Sequence, residues 1–403
     1  MKTVALLTGR KGKGKGKGKR DDGKEGKVPP EPPKDFMKIL MDLATEMTKK
    51  TKALETVKKA LSEKSPQNVD PALALVAAHA ELLQGSAFAL LGKSRMMRLK
   101  RYKKFAKYMR KRSRRRGGFG SYYAARRMRS LALRTAQYVD ETVKYAGIAF
   151  GKAELAKELA TLSTETGKPV KVSEKRMKTI ANQLFASAKA NLDLIRSVFR
   201  RHRMGGFILR ILSARTPEYI IASLGTSRAG KAVLKFREAG QLGEHIKLGS
   251  GYAALGAAVA SYMASTKIIA KWFNLRIKHK TGRAVKKVGR PMTLTNALHR
   301  ARIFALEAAY RAKKLSGQVP TFSRILFQSA DVLRKESLSG QVKALELYWR
   351  AALYSRLAEM LTGHMPAAGG AGGTPAGGDG AAPKASFEKD AFHEIVRATL
   401  QER

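Results

Sequence analysis

The apolar residues of this chain recur at steps of three and four, which is the period of an amphipathic helix. The clearest case lies in residues 36–61, where alternating steps give almost four heptads, interrupted only by Lys50 and opened by Asp35 as the expected N-cap. The pattern predicts a helix that pairs with another helix of the same chain or of a second copy. Its apolar positions are Phe36, Leu40, Leu43, Met47, Leu54, Val57 and Leu61.

Capping residues mark where further helices begin and end. Asp70 and Pro71 predict the N-cap and first turn of an Ala- and Leu-rich helix that reaches about Leu91. No stretch alternates apolar and polar residues with the period of a strand. The sequence therefore predicts an all-α fold, a multi-helix bundle-like body of about eight to ten helices. Other expected helix starts are Ser121, Ser173 and Thr216 with Pro217, and expected left-handed glycine ends are Gly317, Gly340 and Gly363.

Composition divides the chain into five regions. Residues 1–34 form a Gly/Lys/Pro-rich basic tail and residues 366–385 a Gly/Ala-rich linker, and both have too little apolar area to order when free. Between them we expect an N-terminal helical region at 35–165, with the heptad helix and a central Arg/Lys-rich segment, and a C-terminal helical region at 166–365. Residues 386–403 carry a short helix candidate running from Ser386 to Leu400, whose apolar face predicts a docking element. That face comprises Phe392, Ile395, Val396 and Leu400.

The charge of the chain indicates its partner. Lys and Arg number 80 against 31 Asp and Glu, a formal net charge of +49. Self-repulsion of this size destabilises a compact state unless counterions or a polyanion offset it. Binding to phosphates releases counterions, so affinity should be high at low salt and fall steeply as salt rises. Because a few Lys or Arg beside a helix suffice at a membrane surface, the excess favours nucleic acid, DNA or RNA.

The strongest local signal is an acid-free run, residues 82–139, with eighteen Lys and Arg. Its middle predicts a helix from about Ser94 to Arg115 with cations on every face. A solvated helix is the ordinary interpretation of a charge run, but solvated faces mix both signs, and like charges at i,i+4 oppose a helix unless something neutralises them. We therefore expect phosphate contacts from the cations of this run. They are Arg98, Lys100, Arg101, Lys103, Lys104, Lys107, Arg110, Lys111, Arg112, Arg114, Arg115, Arg116, Arg126, Arg127 and Arg129.

Aromatic residues follow the basic segment, in the stretch GGFGSYY at residues 117–123. Phe119, Tyr122 and Tyr123 are candidates to stack on unpaired bases, each worth about 1–3 kcal/mol. The favoured interpretation is a loop between two helices whose aromatic side chains fold back onto the core. Stacking is the alternative.

Three further basic zones extend the pattern. They are the Gly-Lys tail, a cluster at residues 196–203 where cations also suit a helix C-terminus, and the acid-free residues 245–306, in which 278–291 predict an exposed loop. Distribution over several zones favours a protein surrounded by nucleic acid over one short binding groove. The candidate contacts are Arg10, Lys11, Lys13, Lys15, Lys17, Lys19, Arg20, Arg200, Arg201, Arg203, Lys278, Lys280, Arg283, Lys286, Lys287 and Arg290.

Nineteen residues from Leu248 to Thr266 carry no charge and nearly match the length of a membrane span. Their composition is mostly Ala, Gly and Ser, which suits a span poorly. Gly249, Gly256 and the alanines beside them favour a buried helix that packs closely, with membrane insertion as the alternative.

No chemistry-bearing motif emerges. Gly14 and Lys15 would suit a phosphate-binding loop, but Gly16 occupies the place of the required Ser or Thr. The absence of Cys excludes disulfides, thiolate zinc sites and a Cys nucleophile, the seven His are scattered, and adjacent carboxylates such as Asp140 and Glu141 have no third partner nearby. We expect no metal, no cofactor and no catalytic residue, and hence no enzymatic activity. The short apolar start predicts no signal peptide.

The sequence thus favours a structural nucleic-acid-binding protein, largely sequence-nonspecific, in an intracellular nucleoprotein assembly or a virion interior. A packaged genome, as in virion-internal or nucleoid proteins, and a ribonucleoprotein assembly remain open. So do a ribosome-associated role and a membrane-active virion protein that forms a helical pore. The heptad of residues 36–61 and the C-terminal helix candidate predict self-association or a protein partner.

Overall fold

A computed structural model of the chain describes residues 42, 45–46, 49, 68–113, 119–162, 170, 173–200, 216–224, 251–281 and 292–363. These residues form eight helices and no strand, which confirms the predicted all-α fold. The heptad helix falls largely outside the described residues, although Asp42, Thr45, Glu46 and Lys49 are helical. The helices are α1 (Val69–Ser113), α2 (Phe119–Leu162), α3 (Glu174–Arg200), α4 (Pro217–Ala222), α5 (Gly251–Thr281), α6 (Met292–Ser316), α7 (Thr321–Leu333) and α8 (Leu338–Leu361).

Two of the predicted helix starts are confirmed by their cap geometry. The Ser173 hydroxyl accepts from the Arg176 amide at 3.3 Å, and the Thr216 hydroxyl accepts from the Tyr219 amide at 3.4 Å. Pro217 follows as the first residue of α4, where no amide hydrogen is needed. Local hydrogen bonding of this kind is visible in the sequence because donor and acceptor are three residues apart.

The predicted N-cap role of Asp70 is wrong. Helix α1 begins one residue earlier, at Val69, and the carbonyl of Asn68 accepts the amide of Ala72 at 3.1 Å. The Asp70 carboxylate instead accepts from the Thr321 amide at 3.2 Å and from the Thr321 hydroxyl at 2.9 Å. Helix α7 begins after Pro320, which offers no side-chain cap, so an acid from α1 satisfies its N-terminus and meets its dipole.

The predicted glycine ends have mixed outcomes. Gly317 and Gly363 adopt φ of 83° and 92°, which confirms them as left-handed helix ends. Gly340 lies inside the first turn of α8, with Ser337 as the N-cap, so that prediction is wrong. A Cβ at Gly340 would lie 2.7 Å from the Leu333 carbonyl oxygen. The residue is small because α7 ends against it.

The chain divides into two compact units, and the division falls within α1 and α2. Unit 1 includes Gly85–Ala146, and unit 2 includes Val57–Gln84 and Gly147–Arg403. The predicted regions 35–165 and 166–365 stay predictions. In unit 2, α8 is buried along almost its whole length, and α5, α6 and α7 pack around it.

Helix α5 confirms the predicted buried helix. Almost every residue from Gly251 to Thr266 is buried, with α3, α4 and α8 as neighbours. A Cβ at Gly256 would lie 2.4 Å from the His79 Cβ and 2.9 Å from the Val76 carbonyl oxygen, so α5 approaches α1 at backbone distance. Gly249 lies outside the described residues.

Helices α6, α7 and α8 are joined by contacts that fix their directions. Arg302 on α6 donates two hydrogen bonds to Asp331 on α7, at 2.9 and 3.2 Å, and the Tyr348 hydroxyl on α8 donates to the same carboxylate. Toward the ends of α6 and α8, Arg311 lies 3.7 Å from Glu359. Helices α6 and α8 are therefore parallel and pack on each other. Helix α7 packs on α8 in the opposite direction, since Ser323 near its start meets Ser355 and Asp331 near its end meets Tyr348.

Candidate nucleic-acid interface

In unit 1, aromatic side chains hold α1 and α2 together. The Phe88 ring stacks on Tyr145 with centroids 5.3 Å apart and meets Tyr138 edge-on at 5.7 Å. The Arg95 guanidinium lies 4.6 Å above the Tyr138 ring. Arg95 lies seven residues after Phe88 on α1, and its partner Tyr138 lies seven residues before Tyr145 on α2. The two helices are therefore antiparallel, with one heptad of matched register.

Beyond Arg95 the acid-free segment stays helical. Helix α1 continues to Ser113 and α2 begins at Phe119, so five residues, 114–118, join them. We call residues 95–134 the basic hairpin. The predicted helix from about Ser94 is confirmed through Ser113, whereas the predicted end near Leu91 is wrong. No proline or left-handed glycine interrupts residues 91–95, and the isolated Gly92 is tolerated inside the helix.

The structure assigns most candidates of the central run to one of these two helices. Nine lie on α1 and three on α2, at positions whose side chains are outside the described part of the structure. Arg114, Arg115 and Arg116 fall in the connection, also outside it. Those on α1 and α2 are Arg98, Lys100, Arg101, Lys103, Lys104, Lys107, Arg110, Lys111, Arg112, Arg126, Arg127 and Arg129.

The aromatic candidates lie on a helix rather than in the predicted loop. Phe119, Tyr122 and Tyr123 occupy the first turns of α2. The predicted start at Ser121 is thus two residues late. Stacking of these rings on bases stays a prediction, since their side chains lie outside the described structure.

The remaining basic zones belong to unit 2 or fall outside the described residues. Arg200 is the last residue of α3, and Lys278 and Lys280 lie near the end of α5. Thirteen candidates of these zones and the two flanking regions, 1–34 and 364–403, lie outside the described residues. The thirteen are Arg10, Lys11, Lys13, Lys15, Lys17, Lys19, Arg20, Arg201, Arg203, Arg283, Lys286, Lys287 and Arg290.

Unit 2 contains a buried charge cluster that the sequence did not suggest. The Lys152 ammonium lies 2.6 Å from the Glu81 carboxylate, and Arg350 lies 4.0 Å from Glu81 and 2.8 Å from Glu346. Lys343 pairs with Glu346 at 3.2 Å. The side chains of Glu81 and Glu346 are only 4% and 8% exposed. The cluster ties α1, α2 and α8 together within this unit.

The carboxylates of this cluster stay ionised despite their burial. Burial alone would raise the pKa of Glu81, but the positive charges of Lys152 and Arg350 outweigh it and the pKa lies below its usual value. The pKa of Glu346 is lowered for the same reason, because the positive charges of Arg350 and Lys343 outweigh the effect of burial. Burial lowers the pKa of Lys152, and Glu81 opposes that shift. We interpret the cluster as structural, because paired buried charges hold helices in one arrangement.

Sequence reasoning missed this cluster because its members are far apart along the chain. Glu81 and Lys152 are 71 positions apart, and Glu346 and Arg350 lie in an apolar helix of their own. The available signal was a charged residue in an apolar stretch, such as Glu81 after VAAHA. That signal predicts a partner without saying which one.

Within the described residues, one stretch is long and apolar enough by composition to cross a membrane. It is Val69–Gly92 of α1, with a mean hydropathy of 1.4, and 78% of its most apolar window is buried inside the protein. The core helix of a soluble protein meets the same criterion, so this is weak evidence for a span. The sequence-based candidate, residues 248–266, differs from it.

Comparison with protein-family models, with curated proteins and with solved structures returns no match for this chain.

Proposed function

We propose that this protein is a non-enzymatic, structural nucleic-acid-binding protein whose main contact is the basic hairpin. The observation that carries the proposal is the antiparallel pairing of α1 and α2 at Phe88, Tyr138 and Tyr145, beside which the acid-free run lies on both helices. The pairing brings cations that are distant in sequence onto neighbouring helices. A surface of one charge sign needs a partner of the opposite sign to be stable.

The length of the hairpin supports contact with an extended polyanion. From Arg95 to Ser113, α1 rises about 28 Å at 1.5 Å per residue. If the matched register continues for two more heptads, Tyr102 lies level with Leu131 and Met109 with Ala124. The basic segments of α1 and α2 then flank each other along that whole length.

The charge of the hairpin suits the charge density of a nucleic acid. Residues 95–134 contain seventeen Lys and Arg and no Asp or Glu. Duplex DNA carries about one negative charge per 1.7 Å of axis, hence about sixteen over 28 Å. Cations dispersed along helices neutralise phosphates and read few bases, so binding should be largely sequence-nonspecific. Genome packaging and a ribonucleoprotein or ribosome-associated setting use this same chemistry, and copurified nucleic acid would distinguish them.

The test is the salt dependence of binding to a duplex DNA and to an RNA of mixed sequence, read by fluorescence anisotropy. We expect log K to fall steeply with log salt, with a slope of about −0.9 per phosphate neutralised on duplex DNA. Six substitutions to Gln in and beside the connection should flatten that slope by up to about 5, if each residue makes one contact. The substituted residues are Arg110, Lys111, Arg112, Arg114, Arg115 and Arg116.

A matched control separates the hairpin from total charge. Six exposed cations of unit 2 are changed to Gln, which removes the same charge elsewhere and should leave most of the slope intact. Affinity that is indifferent to salt between about 50 and 200 mM would contradict counterion release. An equal loss in both variants would contradict the assignment to the hairpin. The control residues are Lys175, Lys178, Lys189, Lys313, Arg324 and Lys335.

A membrane-active role is the second candidate, and the apolar composition of Val69–Gly92 is the observation in its favour. Partial unfolding would have to release this segment, since 78% of its most apolar window is buried inside the protein. Leakage from liposomes in the absence of nucleic acid would support it. Absence of vesicle association, with salt-sensitive nucleic-acid binding intact, would leave the first proposal standing.

A further inference from the structure

Helix α6 presents an apolar stripe to solvent. Ile303, Leu306 and Tyr310 are 41%, 42% and 60% exposed, and their spacing of three and four places them on one helical face. The opposite face packs against α8 through small residues such as Ala301, Ala305 and Ala308, which are buried. The helix is therefore apolar on two sides, and within the described part of the chain no element covers the outer one.

The C-terminal segment of the same chain has a matching stripe. Phe392, Ile395, Val396 and Leu400 recur at three- and four-residue steps, so a helix over 386–400 would carry them on one face. Both stripes extend over about two helical turns, or about 11 Å. Amphipathic helices commonly bind by laying such a face along an apolar surface.

The segment is tethered within reach of the stripe. Because α6 and α8 are parallel, the Arg311–Glu359 pair places the end of α8 beside the C-terminal half of α6, one residue from Tyr310. The linker from 364 to 385 has 22 residues, and a flexible Gly-rich chain of that length spans about 26 Å on average. Short flexible tethers give effective concentrations of the order of millimolar, so a contact that is weak between separate molecules is occupied.

Charge distinguishes this occupant from other segments of the chain. Helix α6 carries five basic residues and one acidic residue, and Arg311 and Lys314 lie beside Tyr310. In a chain of net charge +49, residues 386–403 contain four acidic residues and three basic ones. The basic heptad segment of residues 36–61 would meet repulsion at the same place.

We propose that the C-terminal segment docks on α6 of its own chain, with Phe392, Ile395 and Leu400 against Ile303, Leu306 and Tyr310. The docked segment covers an apolar stripe that is otherwise exposed to solvent. This proposal does not depend on the hairpin or on its ligand.

The absence of cysteine makes the test direct, because two introduced thiols are the only labelling sites. Spin labels are attached at His299→Cys, exposed on α6, and at Gln401→Cys, and their separation is measured by pulsed electron-paramagnetic resonance on the full chain. We expect a narrow distance distribution below about 30 Å, the length of a 20-residue helix. It should broaden in both Leu306→Asp and Phe392→Asp. Circular dichroism of both variants checks that the helical body stays folded, so that a broader distribution reports loss of docking.

Val332→Asp is the matched control, because Val332 is an exposed apolar residue of α7 that is 63% exposed and lies off the α6 stripe. It should leave the distribution narrow. A broad distribution in the parent protein overturns the proposal, as does a narrow one that ignores Leu306→Asp and Phe392→Asp. A narrow component that disappears on dilution with unlabelled chain would show docking on a second copy and would also overturn it.

Discussion

Gly256 is the residue on which the contact between α1 and α5 in unit 2 depends. Its missing side chain lets the helix backbone approach the Val76 carbonyl and the His79 Cβ. Gly147 and Gly151 on α2 are also helical, but a Cβ at either would meet nothing within 4 Å. Glycine is therefore required for close packing at Gly256, whereas a larger residue would fit at Gly147 and Gly151.

We predict that Gly256→Ala lowers the free energy of unfolding by about 1–3 kcal/mol, because the added methyl group collides with backbone that cannot easily move. The matched control is Gly151→Ala, which should raise it by about 0.5–1 kcal/mol through the lost flexibility of the unfolded chain. Urea unfolding followed by circular dichroism measures both. Equal effects of the two substitutions would contradict the close approach seen at Gly256.

His79 makes stability depend on pH. Burial lowers its pKa to about 4 from the ordinary 6.5, and its Nε2 atom has no hydrogen-bond partner among the described residues. Above about pH 6.5 the ring is neutral in the folded and the unfolded chain. As pH falls from there toward 4, the unfolded chain binds a proton that the folded protein does not, so stability is lost.

Replacing His79 by Leu should therefore flatten the decline of unfolding free energy between about pH 6.5 and 5, where most carboxylates remain ionised. The full loss attached to a shift of this size approaches about 3 kcal/mol at pH 4. His299→Leu, on the exposed surface of α6, is the control and should leave the decline in place. The idea fails if the parent and His79→Leu proteins lose stability in parallel over that interval.

At the scale of helices, the sequence predicted those helix starts and ends that depend on residues close together in the chain. Ser173 and Thr216 cap their own helices, and Gly317 and Gly363 end them, because every partner lies within four residues. Asp70 looked like a cap for the same reason, but its partner is Thr321, 251 positions away. Such a contact exists only after α1 and α7 have been brought together, so no local pattern contains it.

The Asp70 contact leads to a prediction about α7. Asp70→Ala should lower the free energy of unfolding by about 1–2 kcal/mol, because the Thr321 amide loses its acceptor and the α7 dipole its anion. Thr321→Val removes only the hydroxyl bond and should cost less. In the double variant the two losses should couple by at least about 0.5 kcal/mol. Asp140→Ala, an exposed acid of α2, is the control, and strict additivity would contradict the cap.

At the scale of the whole molecule, the two units differ in how acidic and basic residues are distributed. Among the described residues of unit 2, several acids form ion pairs, as Glu81 with Lys152, Asp331 with Arg302 and Glu359 with Arg311. The part of the run that lies in unit 1, residues 85–139, contains no acid of its own. Its composition alone predicted a phosphate-binding surface. The arrangement of that surface required Phe88 to meet aromatic residues about fifty positions later, which composition does not show.

This asymmetry predicts how salt affects the protein without nucleic acid. Raising ionic strength from about 10 to 100 mM shortens the Debye length from about 30 to 10 Å, which screens the repulsion of the net charge. The close ion pairs of unit 2 are partly buried, so added salt weakens their attraction less. The midpoint of thermal unfolding should therefore rise with salt, by about 2–4 °C for each kcal/mol of repulsion removed. The variant with six Gln substitutions in and beside the hairpin connection should have a higher unfolding midpoint at low salt, and its midpoint should rise less with salt. The unit 2 control variant loses the same charge outside the acid-free run, so its midpoint should rise almost as much as that of the parent. Differential scanning calorimetry measures all three, and a midpoint that falls with salt would mean that ion pairs, not repulsion, dominate the electrostatics of this chain.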